Sequence, residues 1–390
     1  MGVRDSNGVS GKPTKLLIWL ALGALAVGVL IAAYAFQRTD APAAEQPPLA
    51  EWVDVAGKPV IGKGPFTRIA IDDSRYLVAL GLIHPDPVSL LAAWPQDVNR
   101  LGEETYQQFL AKSPNLAQLP KIASSAGNFD AEALLAAAPD LALLSLESGI
   151  TDAQRQQLEA AGITVVIVDF FVQPFENLER SLRLLGQLTG REEQAEEFIA
   201  FRAEHMSEIA ERVAALPQDD RPTVFLEAHA GLNPDCCNSP GRGNIGDYLA
   251  FVGGRNIGAE VIQQSFGKLN LEYIIEQDPH VYIATGGPHL AQAGGLVVGP
   301  GFSPETAREA LAKVSARPGI SGLTAVREGR THGFSHQLIN SPLDVVAIET
   351  FARWIHPEVF ADLKPEDTLA EINRRFLTVP YEGTFWVDLD

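Results

Sequence analysis

Arg75, Arg100 and Arg242 stand out in this 390-residue chain because its formal net charge is −19, so each guanidinium is a candidate for a locally positive pocket. A guanidinium fork grips an oxyanion through two parallel hydrogen bonds, but it serves equally well as a surface partner for nearby acids. Tyr76, His229, His289 and His336 add phenol and imidazole groups able to ligate a metal from an axial position. A lone loop histidine is more often a hydrogen-bonded surface residue. Trp94, Phe170 and Phe171 offer aromatic walls, while Asp73, Glu147 and Asn340 add oxygen ligands. Cys236 and Cys237 are neighbours in a loop with Asp235 and Asn238. Adjacent Cα atoms across a trans peptide lie about 3.8 Å apart, so a bridge between these cysteines would be strained. The alternative is a pair of thiols gripping a soft metal, a reading that no second Cys pair or clustered His supports.

Catalysis is not what these groups spell. Gly241-Arg-Gly243-Asn-Ile-Gly246 fits Gly-x-Gly-x-x-Gly, but a loop with Pro234, both cysteines and Pro240 separates it from the preceding strand. The tight strand–turn–helix cradle for a dinucleotide is therefore missing. An exported α/β hydrolase, the competing class, needs a Gly-x-Ser-x-Gly elbow, and Ser239 and Ser335 lack that frame. No His-rich loop or tight His/Asp/Glu cluster reads as a bare metal site. So acidic a chain repels nucleic-acid phosphates. The expectation is a binding protein with no enzymatic step and no resident cofactor or metal.

The scaffold for these groups is written twice. Residues 130–144 and 270–284 share one pattern, aligning Glu132 with Glu272, Pro139 with Pro279, and Leu141 and Leu143 with Val281 and Ile283. Each copy reads as a short helix opened by an N-capping Asp or Asn, stopped at a proline and followed by a buried strand. Around the first copy, strands at Arg68–Asp72, Leu141–Ser145 and Val165–Phe170 alternate with helices at Arg75–Leu82 and Asp152–Ala161. Around the second, strands at Thr223–Glu227, Val281–Thr285 and Thr331–Ser335 alternate with helices at Ile245–Phe251 and Thr306–Lys313, and closing helices run from Ser341 to Phe376. This is the rhythm of α/β lobes with parallel sheets. Between them, Ala195, Phe198, Ile199, Ile209 and Val213 recur at helical spacing beyond Gly190, which predicts a spine helix roughly 35–40 Å long. The expected organisation is a linker over 38–65, an N-terminal lobe over 66–190, the spine over 191–216, a C-terminal lobe over 221–376 and a tail over 377–390. A cleft between the lobes takes its ligand groups from the carboxyl ends of the strands.

Residues 1–37 form a separate object. Lys12 and Lys15 precede an apolar run from Leu16 to Phe36, which reads as a signal peptide or as a retained transmembrane anchor. Ala33-Tyr34-Ala35 has the small-x-small form of a cleavage site, and no cysteine is placed to carry a lipid. With the basic flank kept in the cytoplasm, the body is exported to the periplasm.

The duplicated unit, the single spine helix, Gly253-Gly254-Arg255-Asn256-Ile257 and the stretch from Leu323 to Phe334 together resemble the cluster III solute-binding proteins of ABC importers. The resemblance covers about residues 66–376. It implies two Rossmann-like lobes, a monomer, and a cleft for a ferric siderophore, with haem or cobalamin as alternatives. It also implies that Glu132 and Glu272 dock on arginines of a membrane permease, which works with its ATPase. Alone, a first-turn carboxylate only favours its helix dipole, by about 0.3–1 kcal/mol. Under this resemblance the cleft draws on Arg75, Tyr76, Trp94, Arg100, Glu147, Phe171, His229, Cys236, Cys237, Arg242 and His336.

Overall fold

Short runs of Leu, Ile, Val and Ala bounded by turns become the inner strands of two parallel sheets. The computed structural model describes residues 50–125, 127–217, 221–233, 236–339 and 341–389. The first lobe contains the hairpin β1 (Ala50–Val53) and β2 (Pro59–Gly62), then β3 (Ile69–Ile71), α1 (Tyr76–Ile83), β4 (Leu91–Ala93), α2 (Val98–Leu101) and α3 (Glu103–Lys112). It continues through α4 (Ala131–Ala137), β5 (Leu141–Ser145), α5 (Asp152–Ala160), β6 (Thr164–Val168) and α6 (Pro174–Thr189). After the spine, α7 (Glu192–Ala214), come β7 (Thr223–Glu227), β8 (Asn238–Pro240), α8 (Ile245–Phe251), β9 (Arg255–Asn256), β10 (Phe266–Lys268), α9 (Leu271–Gln277) and β11 (Val281–Gly286). The second lobe ends with α10 (Pro304–Ser315), α11 (Thr324–Arg327), β12 (Thr331–Ser335), α12 (His336–Ile339), α13 (Asp344–Ile355), α14 (Pro365–Arg375) and β13 (Trp386–Asp388).

The first sheet runs β4-β3-β5-β6, and the second runs β9-β7-β11-β12-β13 with only β13 antiparallel. Strand order equates β3 with β7, β5 with β11 and β6 with β12. The repeated sequence unit therefore occupies equivalent places, α4–β5 and α9–β11. Asp130 accepts a bond from Ala133 N at 3.0 Å, and Asn270 accepts one from Glu272 N at 2.8 Å. Each helix ends on a left-handed residue, Ala138 at φ 47° and Asp278 at φ 38°, immediately before the proline.

Two segments differ from expectation. The part of the 38–65 linker from Ala50 onward is the β1–β2 hairpin. Asp54, fully buried, accepts from Ile167 N at 3.3 Å and pairs with Arg155 at 3.1 Å, which fixes the hairpin against β6. Four-residue strands carry too short a period to stand out in the sequence. The 377–390 tail holds β13, with Tyr381 and Phe385 buried beside it. The apolar run from Leu16 to Phe36 lies outside the described residues. Among those that are described, no helix is long and apolar enough to cross a membrane.

Alternation along the strands divides the apolar side chains between two faces. Leu141 and Leu143 point into a central layer with Leu77 of α1, Phe198 and Ile209 of α7, and Phe351 and Ile355 of α13, so both lobes and the spine share one core. Ala142 and Leu144 point outward onto Leu134 and Leu158, and Ile274 and Leu311 occupy the matching outer core of the second lobe. The 23 residues of α7 span about 35 Å, and left-handed Gly190, at φ 66°, separates it from α6.

One ion pair is buried in the shared layer. Arg202 of α7 donates from Nε and Nη2 to the two carboxylate oxygens of Asp344, both at 2.8 Å. Glu179 accepts from Arg202 Nη1 at 3.1 Å, and Tyr248 Oη donates to Asp344 at 3.1 Å. Removing one member strands a buried charge, so Arg202→Met should lower unfolding free energy by about 3–5 kcal/mol in urea titration. The double variant Arg202→Met/Asp344→Leu should recover most of that loss.

Candidate functional site

Loops at the carboxyl ends of the strands face each other across a cleft of about 280 Å³. The first lobe supplies Arg75 after β3, Asn99 and Arg100 from α2, Glu147 after β5 and Phe171 after β6. The second supplies His229 after β7, His289 after β11, and His336 and Gln337 after β12. The lobes touch at its rim. Asn244 Nδ2 donates to Phe171 O, Phe171 stacks on Phe266 with ring centroids 6.2 Å apart, and Gln337 Nε2 reaches Asn99 O at 3.4 Å.

The two cleft arginines share one buried acid. Arg75 grips Asp73 at 2.9 and 2.7 Å, Arg100 Nη1 bonds the same carboxylate, and Arg100 Nε lies 3.5 Å from Asp97. Burial alone would raise the Asp73 carboxyl, but Arg75 and then Arg100 overcome it and hold the group well below the usual carboxylate range. Burial, and then Asp73, raises Asp97; burial, and then Asp169, raises Glu147. Among the described residues that line the cleft, the charged groups are thus Arg75, Arg100 and Glu147, with Asp73 and Asp97 paired to the arginines behind them. The expected positive pocket is instead offset, because Asp73 and Asp97 hold the arginines from beneath the lining and Glu147 shares the cleft with them.

The histidines are packed together. His229 Nδ1 and His289 Nε2 are 2.8 Å apart, one donating to the other, and the His336 ring centroid lies 4.0 Å from that of His229. His336 Nδ1 is 3.1 Å from Thr285 Oγ1. Burial, reinforced by His289 and Arg75, pushes His229 down to about 4. Burial, joined by Arg100, also lowers His289, and burial with the neighbouring imidazoles lowers His336 further. The cleft therefore presents uncharged imidazoles at neutral pH. His229 holds a left-handed backbone at φ 54°, which costs on the order of 1–3 kcal/mol. Thr285 fixes it there, with His229 N donating to Thr285 Oγ1 at 3.2 Å and Ala230 N donating to Thr285 O at 2.8 Å. Among the described residues, no group of three or more His, Cys, Asp or Glu side chains is set to hold a metal ion.

Several expected ligand residues lie elsewhere. Tyr76 is buried in the first lobe's core, edge-on to Phe170, because the first turn of α1 directs it inward. Trp94 is fully buried and donates from its indole to Leu116 O at 3.1 Å, since the strand pairing continues one bridge beyond β4 to Lys121. Arg242 is exposed and outside the cleft lining. Cys236 and Cys237 form a disulfide rather than two thiols, with Cys237 in the second lobe's outer core and Cys236 bordering a separate surface hollow. Asp235 and Asn340 lie outside the described residues. Asn99 and Gln337 carry no sequence signal beyond standing next to Arg100 and His336.

Glu132 and Glu272 are exposed in the first turns of α4 and α9. Each helix runs antiparallel to the strand that follows it, so both carboxylates lie toward the sheet edge that bears the cleft.

A family model for periplasmic binding proteins matches residues 82–333. The chain is 24% identical over 238 residues to YvrC, an uncharacterized ABC transporter substrate-binding lipoprotein of Bacillus subtilis, which covers 60% of this chain and 68% of that protein. The TroA-like periplasmic binding protein FepB from Veillonella parvula is 24% identical at a TM-score of 0.78, covering 88% of this chain and 100% of that one. CeuE of Helicobacter pylori, in a nickel–histidine complex, is 14% identical at a TM-score of 0.62, covering 85% and 96%. The likeness to the two solved structures is one of fold.

Because His229 titrates at about 4 in the folded chain against an ordinary 6.5, the unfolded chain binds the extra proton between those values. Its contribution to stability is complete above pH 6.5 and is lost as pH falls toward 4. Asp72, pushed up to about 8 by burial, works in the opposite sense, so the comparison must be between variants. His229→Asn should flatten the fall in urea stability across that acid window relative to the parent. NMR should show the His229 imidazole still neutral at about pH 5.

Proposed function

This chain belongs to the cluster III periplasmic binding protein family and is the substrate-binding component of an ABC transporter; we propose that its cargo is a ferric siderophore of low net charge. The observation that carries this reading is the composition of the cleft, where uncharged imidazoles face two arginines already committed to Asp73. A polyanionic tris-catecholate chelate would meet Glu147 and two arginines whose charge Asp73 and Asp97 already offset from beneath the lining, and desolvating its charge would go uncompensated. A hydroxamate chelate presents carbonyl-type oxygens, which suit the outer edges of Arg75 and Arg100 and the amides of Asn99 and Gln337. Its apolar skeleton suits Phe171.

Size does not separate the candidates, because a ferric trihydroxamate is about as bulky as haem. Ligand pockets typically span about 300–1,000 Å³, and this cleft falls just below that range. Any of these cargoes requires the cleft walls to move apart, a movement the shared core limits. The protein binds and hands over its chelate outside the cytoplasm, without chemical conversion, and delivers it to a permease and ATPase. Glu132 and Glu272 provide the docking charges, one on each lobe.

Calorimetric titration with ferric trihydroxamate, ferric tris-catecholate, haem and cobalamin tests the cargo. The trihydroxamate should bind tightest, one per chain and without turnover; preference for the tris-catecholate would overturn the charge argument. Glu132→Lys/Glu272→Lys should abolish cellular uptake while leaving chelate affinity intact. Undiminished uptake by that variant would remove the docking role.

A further inference from the structure

The glycine-rich stretch from Gly241 to Gly246 joins β8 to α8 on the second lobe's side of the seam. Its glycines let the loop fold tightly onto its own lobe. A Cβ on Gly241 would lie 2.2 Å from Gln264 O, and one on Gly246 would lie 2.1 Å from Gly241 O. Gly243 N donates to Asp247 at 2.9 Å, and Asn256 Nδ2 donates to Pro240 O and Gly241 O at 3.1 and 3.0 Å.

Within this loop Asn244 holds a conformation suited to glycine. It is 1% exposed, with φ 51° and ψ −134°, although it carries a Cβ. Its Oδ1 accepts from Ile245 N at 2.6 Å at the start of α8, which aims Nδ2 across the seam at Phe171 O of the first lobe. Backbone strain of this kind persists only where the surroundings override local preference.

The acceptor is fixed just as firmly. Asp169, 3% exposed, accepts from the amides of Phe171, Val172 and Gln173 at 2.8, 2.7 and 2.9 Å and from Asn177 Nδ2 at 2.9 Å. The residue whose carbonyl Asn244 grips also forms a wall of the cleft, with the Arg75 guanidinium 5.9 Å from its ring centroid. Gln337 to Asn99 O, also across the rim, is a longer contact at 3.4 Å. Two stiff loops, one from each lobe, thus meet through Asn244, and parting the lobes breaks that bond before it bends either loop.

We propose that Asn244 is a positioning residue, a latch that holds the lobes closed and sets the Phe171 wall against the cargo. When the lobes part, its backbone is free to leave the unfavourable conformation, which offsets the lost bond and keeps the latch releasable. The latch acts on closure itself and does not depend on what the cleft carries.

Nitroxide-labelled Gln156→Cys/Glu309→Cys, at exposed positions on α5 and α10, reports the distance between the lobes by pulsed EPR, and the disulfide-bonded Cys236 and Cys237 take no label. Without ligand, the chain with Asn244 intact should give one narrow distribution. Asn244→Gly eases the backbone while removing the side chain. Asn244→Asp keeps the bond from Ile245 N but replaces the donor with an acceptor facing Phe171 O. Each should shift the distribution by about 2 Å or more, with the melting temperature unchanged. Ferric trihydroxamate should leave both variants about three- to tenfold faster, with association nearly unchanged. An unshifted distribution in either variant, a shift seen only alongside a lowered melting temperature, or release as slow as from the parent would each overturn the latch. The EPR readout needs no cargo, so failure to bind trihydroxamate would count against the cargo and leave the latch to be decided by distance.

Discussion

Arg202 and Asp344 meet inside the apolar layer that both lobes share, where neither charge is tolerable without the other. Their two parallel bonds, with Tyr248 and Glu179 on the remaining positions, join the middle of the spine to the first residue of α13. An acid at that place also faces the positive end of the helix dipole. Because α12 lies just ahead of α13, the same pair sets where His336 and Gln337 enter the cleft. The geometry of the second lobe's binding loops is thus referred back to the spine.

That arrangement explains why the cleft can carry unfavourable features. Left-handed His229 and buried, uncharged imidazoles in contact both cost stability locally. A continuous core running through both lobes and α7 supplies the rigidity that holds them in place. Strain and depressed proton affinity concentrate where a ligand must be met.

Much of the framework is legible in the residues. The Asp130 and Asn270 caps, the Pro139 and Pro279 stops and the apolar runs behind them are local signals, and local physics obeys them. Arg75, Glu147, Phe171, His229 and His336 stand at strand ends that the alternation locates, and all five line the cleft. Tyr76 and Trp94 occupy the same stretches yet turn inward, a matter of one residue's phase in a helix or strand that composition cannot resolve. The charge of the cleft was hidden for another reason. Arg75 and Arg100 are separated in sequence, and only folding brings both onto Asp73.

The strand at 386–388 is laddered onto β12, and the hairpin at residues 50–62, a sheet of its own, reaches β6 through Asp54 and Val55. Both β6 and β12 are the fourth strand of their lobe's plan and would otherwise leave a row of free backbone donors and acceptors, the template on which foreign strands assemble. Segments that resemble dispensable flanks therefore work as selvedges, one laid over the border at β6 and the other sewn onto the border at β12.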